Sequence, residues 1–264
     1  MRSAPTTLIR LGAAALATAA TLGLAATAAG AATSSGAPAS GTSGNTGNSG
    51  SSATPNTLSG IKAKANTDIT NRVNALNAAI AKVNSAKGLG SGQGTIVAYL
   101  GTDISPLQQL NQQIQGDTTV KQAAHDFSTI FSNFRVYVLV LPAARIAGDA
   151  DRATNTAIPE LTRFSAWAQS HVNARNQTVL QPLIDDLNSQ ISTASNASNG
   201  LAGTVLAFTP MQWNANHNLL SPAKSSDQAT DTALNKGRVD VQQIKLVLRG
   251  GPVAGVAGTT ATTS

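Results

Sequence analysis

A run of residues at helical spacing near the start of the chain constrains the fold more than any other feature. Steps of four and three residues alternate through Lys62, Asn66, Ile69, Val73, Leu76, Ile80, Val83 and Lys87. The five central apolar positions repeat like the a and d positions of a heptad, the pattern typical of helices in coiled-coil contact. Asp68 and Arg72, four residues apart, are expected to pair along this helix. Gly88 and Gly90 are expected to end it.

The same periodicity predicts further helices along the chain. Apolar stripes at helical spacing run over 92–115, 143–176 and 178–207, and Val120 opens another. Pro106 and Pro159 are expected to bend or split the helices that contain them. A polar stretch over 209–221 is predicted to be irregular, and a last helix is predicted to start at Pro222.

Residues 134–142 allow two interpretations. The run Phe134-Arg-Val-Tyr-Val-Leu-Val-Leu-Pro142 is rich in the β-branched and aromatic residues of a buried strand. No second strand is available to satisfy its backbone groups, so a fully buried helix, distorted near Pro142, is favoured. The sequence therefore predicts an all-α fold, an elongated antiparallel bundle of five to six helices with coiled-coil-like packing and no sheet.

The N-terminus predicts export. Arg2 and Arg10 precede an apolar stretch from Leu11 to about Ala29, and Ala29-Gly30-Ala31 fits the small-residue rule for cleavage. Residues 1–31 are therefore predicted to be a signal peptide. The alternative is a membrane anchor, but Ala, Thr and Gly dilute the apolar run.

The remaining chain divides by composition. Residues 32–57 are almost wholly Gly, Ser, Thr, Ala and Asn and predict a flexible linker, because they cannot bury enough apolar area to order themselves. Residues 58–249 are predicted to be the bundle domain, and 250–264 a disordered tail. The tail carries no LPxTG-like sorting signal and no final hydrophobic anchor. The expected localisation is secreted or loosely associated with the cell wall.

Composition excludes several classes of protein. The chain has no cysteine, which excludes disulfides, thiolate zinc sites and cysteine nucleophiles. Without residues 1–31 it carries 16 basic and 12 acidic side chains, a net charge of +4 against +6 for the whole chain. The basic residues are scattered, so no nucleic-acid partner is expected. Weak attraction to anionic wall polymers is the most that this charge supports.

No catalytic pattern is present. His125, His171 and His217 do not lie at helical contact spacing, and no metal or cofactor site is predicted. Asp149 is expected to form ion pairs with Arg145 and Arg152. The Gly-rich run 88–94 lacks the ending of a phosphate-binding loop and is predicted to be a helix–helix turn. We therefore expect that the protein is not an enzyme.

Four residues are candidates for an interaction patch: Phe134, Arg135, Tyr137 and Trp213. Arg135 lies within an apolar run, where a guanidinium is costly unless it is paired or reaches solvent. It is expected to pair with an Asp of a neighbouring helix or to extend outward. Trp167 is expected in the core, and Trp213, in the polar stretch, is a candidate exposed residue.

The order of these segments resembles a group of secreted helical or coiled-coil proteins of high-GC Gram-positive bacteria. The resemblance covers most of 58–249 and is carried by the 134–142 block, followed by Asp149 and Asp151 and later by Thr209-Pro210. It implies an extended helical protein and brings no activity with it. The chain differs from that group in being poor in Lys and Glu, with Glu160 as its only glutamate.

The leading functional expectation is a non-catalytic exported protein that acts by interaction at or outside the cell envelope, with an unknown protein or envelope component as partner. One alternative is a carrier that holds a lipid or other hydrophobic ligand in an apolar groove lined by 134–142. Another is a membrane-active helical protein, although the mature chain is expected to have no transmembrane span. Self-association stays open, since a heptad seam can be satisfied within one chain or between chains.

Overall fold

The computed structural model of the protein describes residues 57–250. Within this range every regular element is helical and no strand occurs, which confirms the all-α fold. The predicted signal peptide, most of the predicted linker and nearly all of the predicted tail lie outside the described residues.

Ten α-helices and two π-helical turns follow one another along residues 57–250. They are α1 (Leu58–Ser85), α2 (Gly92–Gly101), α3 (Ile104–Gly116), α4 (Val120–Ser132), the first π-turn (Val136–Val140), α5 (Leu141–Arg152), the second π-turn (Ala153–Ala157), α6 (Ile158–Gln169), α7 (Gln177–Ser198), α8 (Leu201–Leu206), α9 (Pro210–Ala215) and α10 (Ser221–Leu248). The stretch from Val136 to Gln169 is continuous, so the long helical segments number about six.

Polar caps and glycines set the helix ends. The Thr57 hydroxyl accepts a hydrogen bond from the Gly60 amide at 3.1 Å and begins α1. Thr119 caps α4 in the same way, and Thr209 begins α9 with a full capping box. Gly88, at φ +79°, follows the end of α1 as predicted. Gly200, at φ +65°, separates α7 from α8, so the single helix predicted over 178–207 is in fact two.

The buried stripe of α1 coincides with the predicted seam at three positions and differs from it by one residue at the other four. The buried positions are Ile61, Ala65, Ile69, Arg72, Leu76, Ala79 and Val83. Ile69, Leu76 and Val83 belong to the predicted seam, whereas Val73 and Ile80 are only partly buried. Lys62 and Asn66 instead contact α3: the Lys62 ammonium donates to the Gln115 carbonyl at 2.7 Å. Coiled-coil packing stays a prediction.

Three prolines act as breaks or kinks. The predicted helix over 92–115 is split, because α2 ends at Gly101 and Pro106 occupies the first turn of α3. Each π-turn ends two residues before a proline, Pro142 or Pro159. A π-turn widens the helix by one residue per turn, and the proline that follows lacks an amide hydrogen to bond to the preceding turn. The expected distortion near Pro142 is thus a π-turn.

The bundle contains two apolar cores. The first core is formed by α1 to α5, α8 and the first residues of α10, and the second core by α6, α7 and the rest of α10. Two helical segments pass from the first core to the second. Ala150 of α5 lies in the first core and Ala153, in the second π-turn that continues α5, lies in the second. Likewise Ala223 of α10 lies in the first core and Ala233 in the second. Polar and charged side chains lie along the two helices between these points.

One helical stretch, Val120–Gln169, is long and apolar enough by composition to cross a membrane, with a mean hydropathy of 1.3 over its best 18-residue window. Half of that window is buried inside the bundle. Core helices of helical bundles meet the same criterion of length and composition.

Candidate functional site

A buried arginine lies between two exposed aromatic rings where α1 meets α4 and the first π-turn. The Arg72 guanidinium is 4.8 Å from the ring centre of Phe131 and 5.4 Å from that of Tyr137. Arg72 is only 8% exposed, while Phe131 and Tyr137 are 39% and 49% exposed. Burial lowers the pKa of Arg72, and the nearby Asp68 and Tyr137 oppose that shift. Cation–π contacts hold the two rings in place while leaving them accessible.

The prediction that Asp68 and Arg72 form an ion pair is wrong in its detail. Arg72 donates from Nη1 to the backbone carbonyl of Asp68 at 2.9 Å. The Asp68 carboxylate instead lies 3.4 Å from the Lys64 ammonium. The guanidinium is thereby left free to stack against the rings.

Arg135 is held by an asparagine, where the sequence predicted either an Asp partner or extension of the side chain to solvent. Its Nε donates to Asn214 Oδ1 at 2.7 Å, and Asn214 Nδ2 donates to the Ser132 carbonyl at 2.9 Å. Asn214 belongs to α9, in the stretch predicted to be irregular. The pair of hydrogen bonds therefore fastens the short helix α9 to the end of α4.

The prediction of a fully buried helix over residues 134–142 is wrong in part, because one side of the first π-turn is exposed. Val136, Leu139 and Val140 enter the first core, while Tyr137 and Val138 are 49% and 44% exposed. A helix rather than a strand produces this pattern, because residues three and four apart share a face.

The structure corrects the expected burial of Trp167 and shows the burial of Trp213. Trp167, expected in the core, is 42% exposed and stacks between Phe164 and His171. Trp213, which the sequence offered only as a candidate exposed residue, is half-buried and packs against the first core. The prediction for Trp167 failed because exposure follows from which face of its helix a ring occupies, and composition does not reveal that face.

We use the name α4–α9 surface for a set of residues that lie between the end of α4 and the first π-turn, and on α9. It comprises Phe131, Phe134, Arg135, Tyr137, Met211 and Trp213. All four residues predicted as a patch belong to it, with Phe134 and Trp213 half-buried on the first core. Sequence reasoning missed Phe131, Met211, which is 78% exposed, and the supporting Arg72. The spacing of Arg72 from Ile69 and Leu76 could have placed it on the buried stripe.

A second polar cluster lies between the two cores, and we call it the charged layer. Arg145 contacts Asp149 at 3.3 Å and Asp227 of α10 at 3.0 Å, and Arg152 contacts Asp149 at 3.3 Å. The predicted ion pairs of Asp149 are confirmed. Burial, with the carboxylates of Asp149 and Asp231 nearby, raises the pKa of Asp227 to about 6 although Arg145 opposes the shift.

The Gly-rich run 88–94 joins α1 to α2 as predicted, and a carboxylate from α5 occupies it. The Gly90 amide donates to Asp151 Oδ2 at 2.7 Å, and Asn155 Nδ2 donates to Asp151 Oδ1 at 2.8 Å. Thr156 also donates to the Gly88 carbonyl, at 2.8 Å. The loop is thus closed by the chain's own side chains.

The three histidines are exposed and belong to separate regions of the described chain. Within residues 57–250, no group of three or more His, Cys, Asp or Glu is placed to hold a metal ion. His171 and His217 instead stack against Trp167 and Trp213.

Replacing Asn214 by alanine is expected to loosen α9 and to lower the free energy of unfolding by about 1 kcal/mol, since a charge-assisted hydrogen bond at a half-exposed site is lost. In a Trp167→Phe background Trp213 is the only tryptophan, and its fluorescence emission should shift to longer wavelength.

The matched control is Asn218→Ala, because within residues 57–250 the exposed Asn218 side chain makes no hydrogen bond. Its Trp213 emission should equal that of the parent. Equal emission from Asn214→Ala would contradict the anchoring of α9 through Arg135.

Comparison of the chain with family models, curated proteins and solved structures found no match.

Proposed function

We propose that the protein is exported, is not an enzyme, and acts by binding another component at or outside the cell envelope through the α4–α9 surface. The observation that carries this proposal is the held but exposed Tyr137, about half accessible while Arg72 stacks against its ring. A ring fixed before binding loses little conformational entropy when a partner covers it.

The distribution of exposed apolar side chains supports the choice of surface. Eight large apolar side chains are exposed within the described residues, and Phe131, Tyr137, Val138 and Met211 belong to the end of α4, the first π-turn and α9. Tyr, Trp, Met and Arg are the residue types enriched in protein interfaces. The remaining four are distributed over α4, α6 and α10.

The packing of the first π-turn does not favour the carrier alternative. That alternative requires 134–142 to line an apolar groove, whereas Val136 and Leu139 are 1% and 0% exposed in the first core. Export itself rests on the sequence pattern of residues 1–31.

Photocrosslinking in the native host tests the proposal. Tyr137 is replaced by p-benzoylphenylalanine, and cells are separated into cytoplasm, wall and medium after illumination. We expect a crosslinked species from the Tyr137 position in the wall or medium fraction. The control places the same probe at Leu246, which is 44% exposed on α10 within the second-core half of the bundle.

Two outcomes would overturn the proposal. Recovery of the protein only from the cytoplasm would remove export. Crosslinking of equal yield from Leu246 and Tyr137 would remove the α4–α9 surface as the binding site. A crosslink to lipid alone would favour the membrane-active alternative instead.

A further inference from the structure

Helix α10 carries two buried carboxyl groups, and each has the carboxylate of a residue on a neighbouring helix nearby. Asp227 is 5% exposed and Asp240 is 6% exposed. Asp227 shares Arg145 with Asp149 of α5, and Asp240 lies near Asp186 of α7. Asp residues are seldom so buried unless they are paired or protonated.

The buried Asp227 carboxylate shares its arginine partner with a second carboxylate. Arg145 of α5 contacts both Asp149 and Asp227, Arg152 contacts Asp149, and the exposed Asp231 is a further negative charge near Asp227. Helix α8, which also packs on α10, contributes only Leu201–Leu206 and carries no ionisable side chain. Lys224, three residues before Asp227 on α10, is exposed, so the buried Asp227 carboxylate relies on a guanidinium that it shares with Asp149.

Asp240 is less compensated than Asp227. Its Oδ2 is buried and has no hydrogen-bond partner within the described residues. Asp186 of α7 repels it, while Lys236, one turn earlier on α10, is exposed. The ionisable residues of α6, Glu160 and Arg163, are also exposed. An ionised Asp240 therefore pays for burial without a buried partner.

We propose that the contact of α10 with α5 and α7 is a pH-sensitive lock, which tightens in mildly acidic surroundings when Asp227 and Asp240 take up protons. A protonated carboxyl removes the repulsion from Asp149 or Asp186 and the cost of burying a charge. At neutral pH both groups are ionised and α10 is held less firmly, so the bundle is more easily opened along its last helix. This inference is independent of the α4–α9 surface.

The direction of the pH effect follows from proton linkage. Burial raises the pKa of both Asp227 and Asp240 to about 6, above the ordinary value of 3.8. The folded state therefore binds protons that the unfolded state releases between these values, and stability increases as the pH falls through about 6 toward 4. Burial raises the pKa of Asp149 and Asp103 as well, so the other shifted carboxyl groups act in the same direction.

The test is chemical unfolding of the full chain at pH 5.0 and pH 7.5, together with hydrogen exchange of the α10 amides. A pKa near 6 predicts an unfolding constant about tenfold smaller at pH 5.0 for each of the two groups. The Asp227→Asn and Asp240→Asn variants carry a neutral group of the same shape. In each variant the ratio of the unfolding constants at pH 7.5 and pH 5.0 should be about tenfold smaller than in the wild type. Asp185→Asn, on the exposed face of α7, is the control and should keep the whole response.

Carboxyl-carbon NMR titration of the wild-type chain provides a readout that does not depend on folded variants. Midpoints of Asp227 and Asp240 above pH 5 would support the lock, and midpoints below pH 5 would overturn it. It would also be overturned if the wild-type unfolding constant changed less than twofold between the two pH values, or if the double Asn variant kept the wild-type response.

Discussion

Replacing Gly92 by alanine is expected to lower the free energy of unfolding by about 3 kcal/mol, the sum of overpacking and a disturbed buried hydrogen bond. A Cβ at this position would overlap with Asp151 Oδ1 and lie 2.7 Å from its Cγ. The Asp151 carboxylate is short, buried and held by the Gly90 amide and by Asn155, so it cannot swing aside without losing those bonds. Denaturant unfolding measures the change.

Gly94→Ala is the matched control for Gly92→Ala. Gly94 is in the same helix two residues later, and no heavy atom lies within 4 Å of its added Cβ. Alanine is the better helix former, so this variant should gain up to about 1 kcal/mol. If the two variants were equally stable, Asp151 would not close the Gly-rich run.

Local signals in the sequence predicted most of the helices, because apolar periodicity and capping residues act over only a few positions. Thr57 and Thr119 begin helices, and Gly88 follows the end of one, for reasons that depend only on their neighbours. The face of α1 that is buried was harder to predict from the sequence. Arg72 is buried on its apolar stripe because stacking on two rings compensates its burial, and that compensation comes from residues about 60 positions later.

The candidate site depends still more on contacts between distant residues. Arg135 was correctly expected to need a partner, but Asn214 lies 79 residues away and in a stretch without helical periodicity. Asp227 meets Arg145 across 82 residues. Single-sequence patterns describe faces of individual helices, and they do not specify which faces meet. The sequence could therefore name some residues of the α4–α9 surface, but not Arg72 and Asn214, which contact them.

Leu139→Ala is expected to lower the free energy of unfolding by about 3 kcal/mol, because it leaves a cavity in the first core. Leu139 is fully buried in the first π-turn, whereas its neighbour Val138 is 44% exposed. Val138→Ala, the matched control, should change stability by less than about 0.5 kcal/mol.

The pair also separates the two interpretations that the sequence left open for residues 134–142. In the helical turn Leu139 and Val140 follow Val136 by three and four residues, so the three side chains share the buried face. In a strand with Val136 and Val140 facing the core, alternation would place Val138 on the buried face and Leu139 on the other. In the helical turn Leu139→Ala should therefore destabilise the protein more than Val138→Ala, and in a strand it should destabilise it less. A large loss for Val138→Ala with a small one for Leu139→Ala would contradict the π-turn, and with it the position from which Tyr137 reaches the surface.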